Sequence, residues 1–267
     1  MSRSSVVTLT RSELKKIGST RLWWGLLIGA VVWTILWAVL SAAFAGVEPG
    51  GGQPAAPPLD TPEAIRGVYA AAAFTGAYIF ATILGITGMT GEYRYQTITP
   101  TFLVHPKRRA VVGAKMLAHL VVGVVFGVVG VLTAVLAGGA TILARGFELG
   151  FGLDGVWSSM GLTVVAVAIW TLVGIGIGTL IRNQIVAILV VVFITFLVEP
   201  LLTFALNAAD LGDIPKYLPS SASTALLSPA EVGFELLEWW QGGLLLLAYA
   251  LVFAGLGVLL SVRRDVS

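Results

Sequence analysis

Residues 116–144 read MLAHLVVGVVFGVVGVLTAVLAGGATILA, a stretch without a single Asp, Glu, Lys or Arg. Wound as a helix rising about 1.5 Å per residue, it is longer than the roughly 30 Å hydrocarbon layer of a bilayer. A helix that is apolar on every side has no wet face to offer a soluble fold. The stretch therefore predicts a membrane-crossing helix, and the rest of the chain is read outward from it.

Four further runs, 22–47, 67–91, 155–181 and 239–262, are likewise free of charged residues, and each exceeds the length a span needs. Residues 183–198 form a shorter run, ended by Glu199-Pro200, after which apolar sequence resumes to Leu206. Proline removes a backbone donor and crowds the preceding turn, so a kink or an early stop is expected there. The expectation is an all-α integral membrane protein, one domain over 1–267, with six spans at about 22–46, 67–90, 116–144, 156–181, 184–206 and 239–262.

The totals agree. Hydrophobic residues make up 57% of the chain and charged residues 11%, with a mean hydropathy of +0.93. A soluble domain carries about a quarter charged residues. The net charge of +2 comes from short basic clusters between apolar runs, a pattern that points away from nucleic acid. With no cysteine, disulfides, thiolate metal sites and thiol nucleophiles are excluded. Ala43-Phe44-Ala45 resembles a leader cleavage site, but the apolar run before it is too long for a signal core, so it is read as the first span.

Orientation follows from the basic residues. With both termini and the 92–115 and 182–183 connections in the cytoplasm, thirteen Lys and Arg lie inside and only Arg66, Arg145 and Lys216 outside. That split satisfies the positive-inside rule. Before the first span, Val7, Thr10, Leu14 and Ile17 share one side of a helical wheel, with Arg11, Ser12, Lys15 and Lys16 elsewhere. An amphipathic interfacial helix over 6–21, its lysines near anionic head groups, is the expectation; a basic leader that only sets topology is the alternative. Outside, 48–63 reads as an exposed Gly/Pro loop, and 199–238 as a longer segment whose Phe234, Leu236, Leu237, Trp239 and Trp240 rest at the interface.

The connection over 91–115 is longer than two adjacent helices need and mixes charge with aromatic residues. Either it docks a cytosolic partner or it is an ordinary positive-inside loop. Ionisable groups at mid-membrane cost about 2.5–3.5 kcal/mol on insertion scales, so they are rare and functional. Their scarcity in these spans counts against ion-coupled transport. Glu199 is open to two readings, a vestibule or gate residue pairing with a cationic substrate, or the point where the fifth helix meets water. His119 reads as a packing residue and His105 as a solvated one. The spacings Gly25/Gly29, Gly123/Gly127 and Gly174/Gly178 suit close helix packing within or between subunits. No phosphate-binding loop, intramembrane Ser–His pair or zinc-protease motif occurs, so an enzyme is not expected.

From Ser12-Glu13-Leu14-Lys15-Lys16 to Lys115, the chain resembles the permease subunits of type-2 ATP-binding cassette (ABC) exporters. The resemblance rests on the layout of spans and on Glu92, Thr97, Pro106, Arg108-Arg109 and Lys115. It implies that 91–115 carries a coupling helix for a separate ABC ATPase subunit, with Glu92, Arg94, Thr97, Lys107, Arg108 and Arg109 as coupling residues. It also implies no cofactor in this chain, ATP and Mg in the partner, and a second permease copy, identical or related. The second and fifth spans would then line the path, nominating Phe74, Thr75, Tyr78, Thr82, Phe193, Thr195, Phe196 and Glu199. Aromatic rings with scattered hydroxyls suit an amphipathic or apolar cargo. The expected location is a bacterial cytoplasmic membrane. The rival reading is a scaffold, sensor or immunity protein that binds a partner without transporting.

Overall fold

A computed structural model of the chain describes residues 3–48, 56–96, 108–227 and 236–264. Among these residues all regular structure is helical. α1 runs Arg3–Ser19 and α2 Leu22–Phe44. α3 spans Pro62–Arg94, α4 Arg108–Ala144, α5 Val156–Leu180 and α6 Gln184–Ala208. A 3₁₀ turn at Pro215–Tyr217 leads into the short α7, Pro219–Leu226, and α8 covers Trp239–Arg264. The six helices α2, α3, α4, α5, α6 and α8 are each long and apolar enough to cross a membrane.

Two spans start earlier than the charge-free runs suggest. α3 begins at Pro62, where Thr61 accepts from the Ala64 amide and proline fills a first-turn position that needs no donor. α4 begins at Arg108, so Lys115 is the third turn of a helix rather than the end of a loop. Charge did not stop either helix, because backbone hydrogen bonding continues wherever a charged side chain finds water or a partner.

α5 is the hub, packed against α3, α4 and α8. Its approach to α3 is set by glycine on both sides. A Cβ on Gly85 would strike the Thr171 carbonyl, and one on Gly174 would strike the Thr82 carbonyl. Gly123 and Gly127 of α4 face Ala168 and Val164 of α5. These small-residue spacings therefore pack helices within one subunit. α6 is the opposite case: Ile185, Leu189, Phe193 and Phe204 stand exposed along it.

α3 and α6 each contain a π turn. The Ala72 amide donates to Gly67 and the Glu199 amide to Ile194, five residues back in both cases. In α6 the cause is local, since Pro200 has no N–H for the Phe196 carbonyl and the wider turn makes room for its ring. The helix thus passes through Glu199-Pro200 and continues to Ala208.

The helix ends fall into two groups. At one end lie α1, the C-terminus of α3 and the N-terminus of α4. At the opposite end Arg145 donates to the Ala42 and Ala45 carbonyls at 2.7 and 2.9 Å, closing the C-terminus of α2. Nearby, the Tyr69 hydroxyl donates to the Leu149 carbonyl at 3.0 Å.

Candidate functional site

At the α1 end, four charged side chains from three helices meet. Lys115 of α4 is 1% exposed. Its ammonium reaches Glu13 Oε2 of α1 at 2.6 Å, Glu92 Oε1 of α3 at 2.8 Å and the Gly88 carbonyl at 3.2 Å. Of these, the Glu13 and Gly88 contacts are hydrogen bonds donated by the ammonium, and Glu92 adds a second buried ion pair. Lys16 closes the cluster from the surface, 2.8 Å from Glu13 and 3.0 Å from Glu92. Two carboxylates face two ammoniums, so the set can be neutral overall. That balance matters because an unpaired charge buried this deeply costs several kcal/mol.

Burial disfavours the charged form of Glu13, but attraction and hydrogen bonding from Lys115, then from Lys16, outweigh it and hold the carboxyl below its usual range. Lys16 is likewise opposed by burial, and its bonds to Glu13 and Glu92 raise it above the usual lysine value. Beneath the cluster, His119 Nδ1 lies 2.9 Å from the Lys115 carbonyl. A carbonyl can only accept, so Nδ1 carries the proton and Nε2 turns its lone pair toward Gly88, where no side chain would fit.

This geometry revises the picture of the N-terminal helix. α1 packs along α4, Leu14 and Ile17 join the edge of a core cluster that includes Leu84 of α3 and Val122 and Phe126 of α4, and Glu13 is 5% exposed. The Leu14 and Ile17 part of the apolar side of α1 therefore lies against the protein's own spans, while Val7, Arg11 and Lys15 remain exposed. Sequence reading missed Glu13, Lys16 and Lys115 as a unit. The signal was present: Glu13 sits at the i+3 and i−4 positions of Thr10 and Ile17, on the apolar stripe, where a lone acid needs a partner.

Of the expected coupling residues, Glu92 is buried in this network, while Arg94 is exposed, its guanidinium 5.7 Å from the Tyr95 ring. Thr97 and Lys107, like His105, lie outside the described residues. Arg108 and Arg109 begin α4, and their side chains are not described.

The opposite half of the bundle holds a cavity of about 260 Å³. α3 contributes Phe74, Thr75 and Tyr78, α5 Trp170, α6 Thr195, and α7 Ser220 and Thr224. The Phe74 and Tyr78 rings stack at 4.7 Å, and Tyr78 meets Trp170 edge-on at 5.3 Å. The two π turns, Gly67–Ala71 and Ile194–Val198, both border it. Such turns collect at functional positions because they re-aim side chains without ending the helix.

α7 forms one wall, held by three spans. The Glu199 carboxylate of α6 accepts from the Ser220 amide at 2.9 Å. Trp170 Nε1 of α5 donates to Ser223 Oγ at 2.8 Å, and the Tyr249 hydroxyl of α8 donates to the Tyr217 carbonyl at 2.8 Å. Glu199 is 4% exposed, so it does not mark a helix reaching water. Of the nominated path residues, Phe74, Thr75, Tyr78 and Thr195 come together here. Thr82 is buried below them, its hydroxyl donating to the Tyr78 carbonyl at 2.7 Å. Phe193 and Phe196 face outward from α6, more than half exposed. Sequence reading also missed α7, although Pro219 followed by Ser-Ser-Ala-Ser-Thr-Ala signals a helix small enough to enter a packed space.

A family model described as ABC-2 family transporter protein matches residues 9–198, well over half of the chain. The chain belongs to the ABC-2 transporter family. It is thus a multi-pass membrane protein and a permease subunit of an ABC transporter, a transport subunit rather than the catalytic one, which implies association with an ABC ATPase. Curated proteins compared with the permease give no match. The matched stretch takes in α1 from residue 9 onward and the whole ion network, and stops one residue before Glu199, so α7 lies beyond it.

Proposed function

We propose that this permease is the membrane-spanning part of an exporter driven by a separate ABC ATPase, which binds ATP with Mg. Two copies, or one copy and a related permease, enclose the path in a bacterial cytoplasmic membrane, and the cargo is amphipathic or apolar. α1 and the 91–115 connection face the cytoplasm, where thirteen of the basic residues gather. Arg94, Thr97, Lys107, Arg108 and Arg109 meet the ATPase. Glu92 stands behind them and passes the push inward.

The observation that carries this reading is the buried contact of Lys115 with both Glu13 and Glu92. α3 and α4 border the connection on either side; α1 is joined to α4 by the buried Glu13–Lys115 pair, costly to break singly, and to α3 through Lys16 and through the Lys115 that Glu13 and Glu92 share. A push on the connection would move the three helices together and reach the cavity along α3, which spans both sites. The test is affinity purification of the tagged protein in mild detergent, with mass spectrometry of what accompanies it. A stoichiometric ABC ATPase, lost when residues 94–109 are neutralised, is expected. A well-folded permease without ATPase, even after crosslinking in membranes, would overturn the proposal.

A further inference from the structure

The cavity has a chemical character that transport alone does not require. Its deep wall is aromatic, from Phe74, Tyr78 and Trp170, and ring faces present negative potential. Arg66 lines the rim, but its guanidinium is already 2.9 Å from Glu63, which lines the same rim. That leaves Glu199. It stands directly behind the wall residue Ser220 and has no ion-pair partner among the described residues. One carboxylate oxygen accepts from the Ser220 amide. Summed over these groups, the surroundings carry one uncompensated acid inside a membrane span, where an ionisable side chain ordinarily has a partner.

We propose that this cavity binds a small organic cation, an aryl or quaternary ammonium group, between the Phe74, Tyr78 and Trp170 rings, with Glu199 as its counter-charge. Rings and carboxylate supply complementary halves of such a site: the faces accept a diffuse cation without requiring N–H donors, and the acid balances its charge. At about 260 Å³ the cavity falls just below the usual range for drug-sized ligands, so it fits one ring with an ammonium head, or that portion of a larger molecule. The acid and the α7 wall lie beyond residue 198, outside the region shared with the family model. The inference deepens the permease reading and rests on it, since it gives the cargo, or part of it, a positive charge.

The experiment compares two molecules of the same shape, benzyltrimethylammonium and its neutral carbon isostere neopentylbenzene, on the full chain in lipid nanodiscs. Binding is followed by calorimetry and by competition. The variant is Glu199→Gln, which removes the charge yet keeps an oxygen for the Ser220 amide; its thermal midpoint is measured alongside to show that α7 stays in place. The expected result is that the cation binds at least tenfold more tightly than the isostere, and that Glu199→Gln abolishes the difference. Equal binding of both molecules, or cation binding untouched by the substitution, overturns the cation site while leaving the cavity. If neither binds, yet ATP still changes labelling of a Thr224→Cys protein in the ATPase complex, the cation site is overturned and the permease reading stands.

Discussion

Lys115 and Glu13 lie 102 residues apart in sequence and 2.6 Å apart in space, both almost wholly buried. Their contact makes the N-terminal helix part of the membrane bundle rather than an appendage of it. Removing one partner of such a pair strands the other and costs about 3–5 kcal/mol. Lys115→Met and Glu13→Gln should each lower the thermal midpoint in detergent by many degrees. The exchanged pair Glu13→Lys with Lys115→Glu should recover part of the loss, giving a coupling energy above about 1 kcal/mol in a double-mutant cycle.

The same network sets a pH window for docking of α1. Glu13 titrates below its ordinary 4.5, so its contribution is complete above that value and is lost as pH falls through the lowered one. Lys16 titrates above its ordinary 10.5, so its contribution is complete below that value and is lost as pH rises through the raised one. The Lys16 share is small, because its side chain is 53% exposed. Since the chain has no native cysteine, a Leu14→Cys protein reports docking directly. Measured relative to an unfolded reference thiol at the same pH, its labelling should stay protected at neutral pH and lose that protection as pH falls through the lowered Glu13 value. Protection that is unchanged on acidification until the whole chain unfolds would contradict the role given to Glu13.

Glycine positions should divide sharply. Gly85→Ala and Gly174→Ala drive a methyl into a backbone carbonyl that cannot swing aside. Both should destabilise by at least the roughly 1–3 kcal/mol of ordinary overpacking, visible as lost monodispersity on size exclusion. Gly161, on the same helix as Gly174, has open space around it. Gly161→Ala should be neutral or stabilising by up to about 1 kcal/mol.

Trp170→Phe keeps a ring in the cavity wall but removes the indole donor to Ser223. Ser223 Oγ still donates to the Pro219 carbonyl at 2.7 Å, so it is not left without a partner. The expected loss is about 1 kcal/mol, seen as a modest fall in thermal midpoint together with faster labelling of Thr224→Cys as α7 loosens.

The spans were legible because a bilayer demands long apolar runs, and those runs stand out in the one-dimensional sequence. Charge made a poor ruler for their ends, as Glu63, Arg66 and Lys115 show: each lies inside a helix because it has a partner or a route to water. Half of the cavity was visible through Phe74, Thr75, Tyr78 and Thr195, which face one way along α3 and α6. The other half was not. α7 enters the bundle through small residues whose packing depends on Trp170, Glu199 and Tyr249 from three other helices, a long-range relationship with no local periodicity. The ion network was hidden for the same reason, its members standing at positions 13, 16, 92 and 115.

In the proposed mechanism α1, α3 and α4 move as one body and carry the partner's ATP-driven stroke to the cavity. The most direct measurement is labelling of Thr224→Cys in the permease–ATPase complex, with and without a non-hydrolysable ATP analogue, in otherwise native protein and in Lys115→Met. The nucleotide should change the labelling rate severalfold in the native background and leave it unchanged in Lys115→Met, although that protein still holds its ATPase. An undiminished response in a Lys115→Met complex would contradict the mechanism.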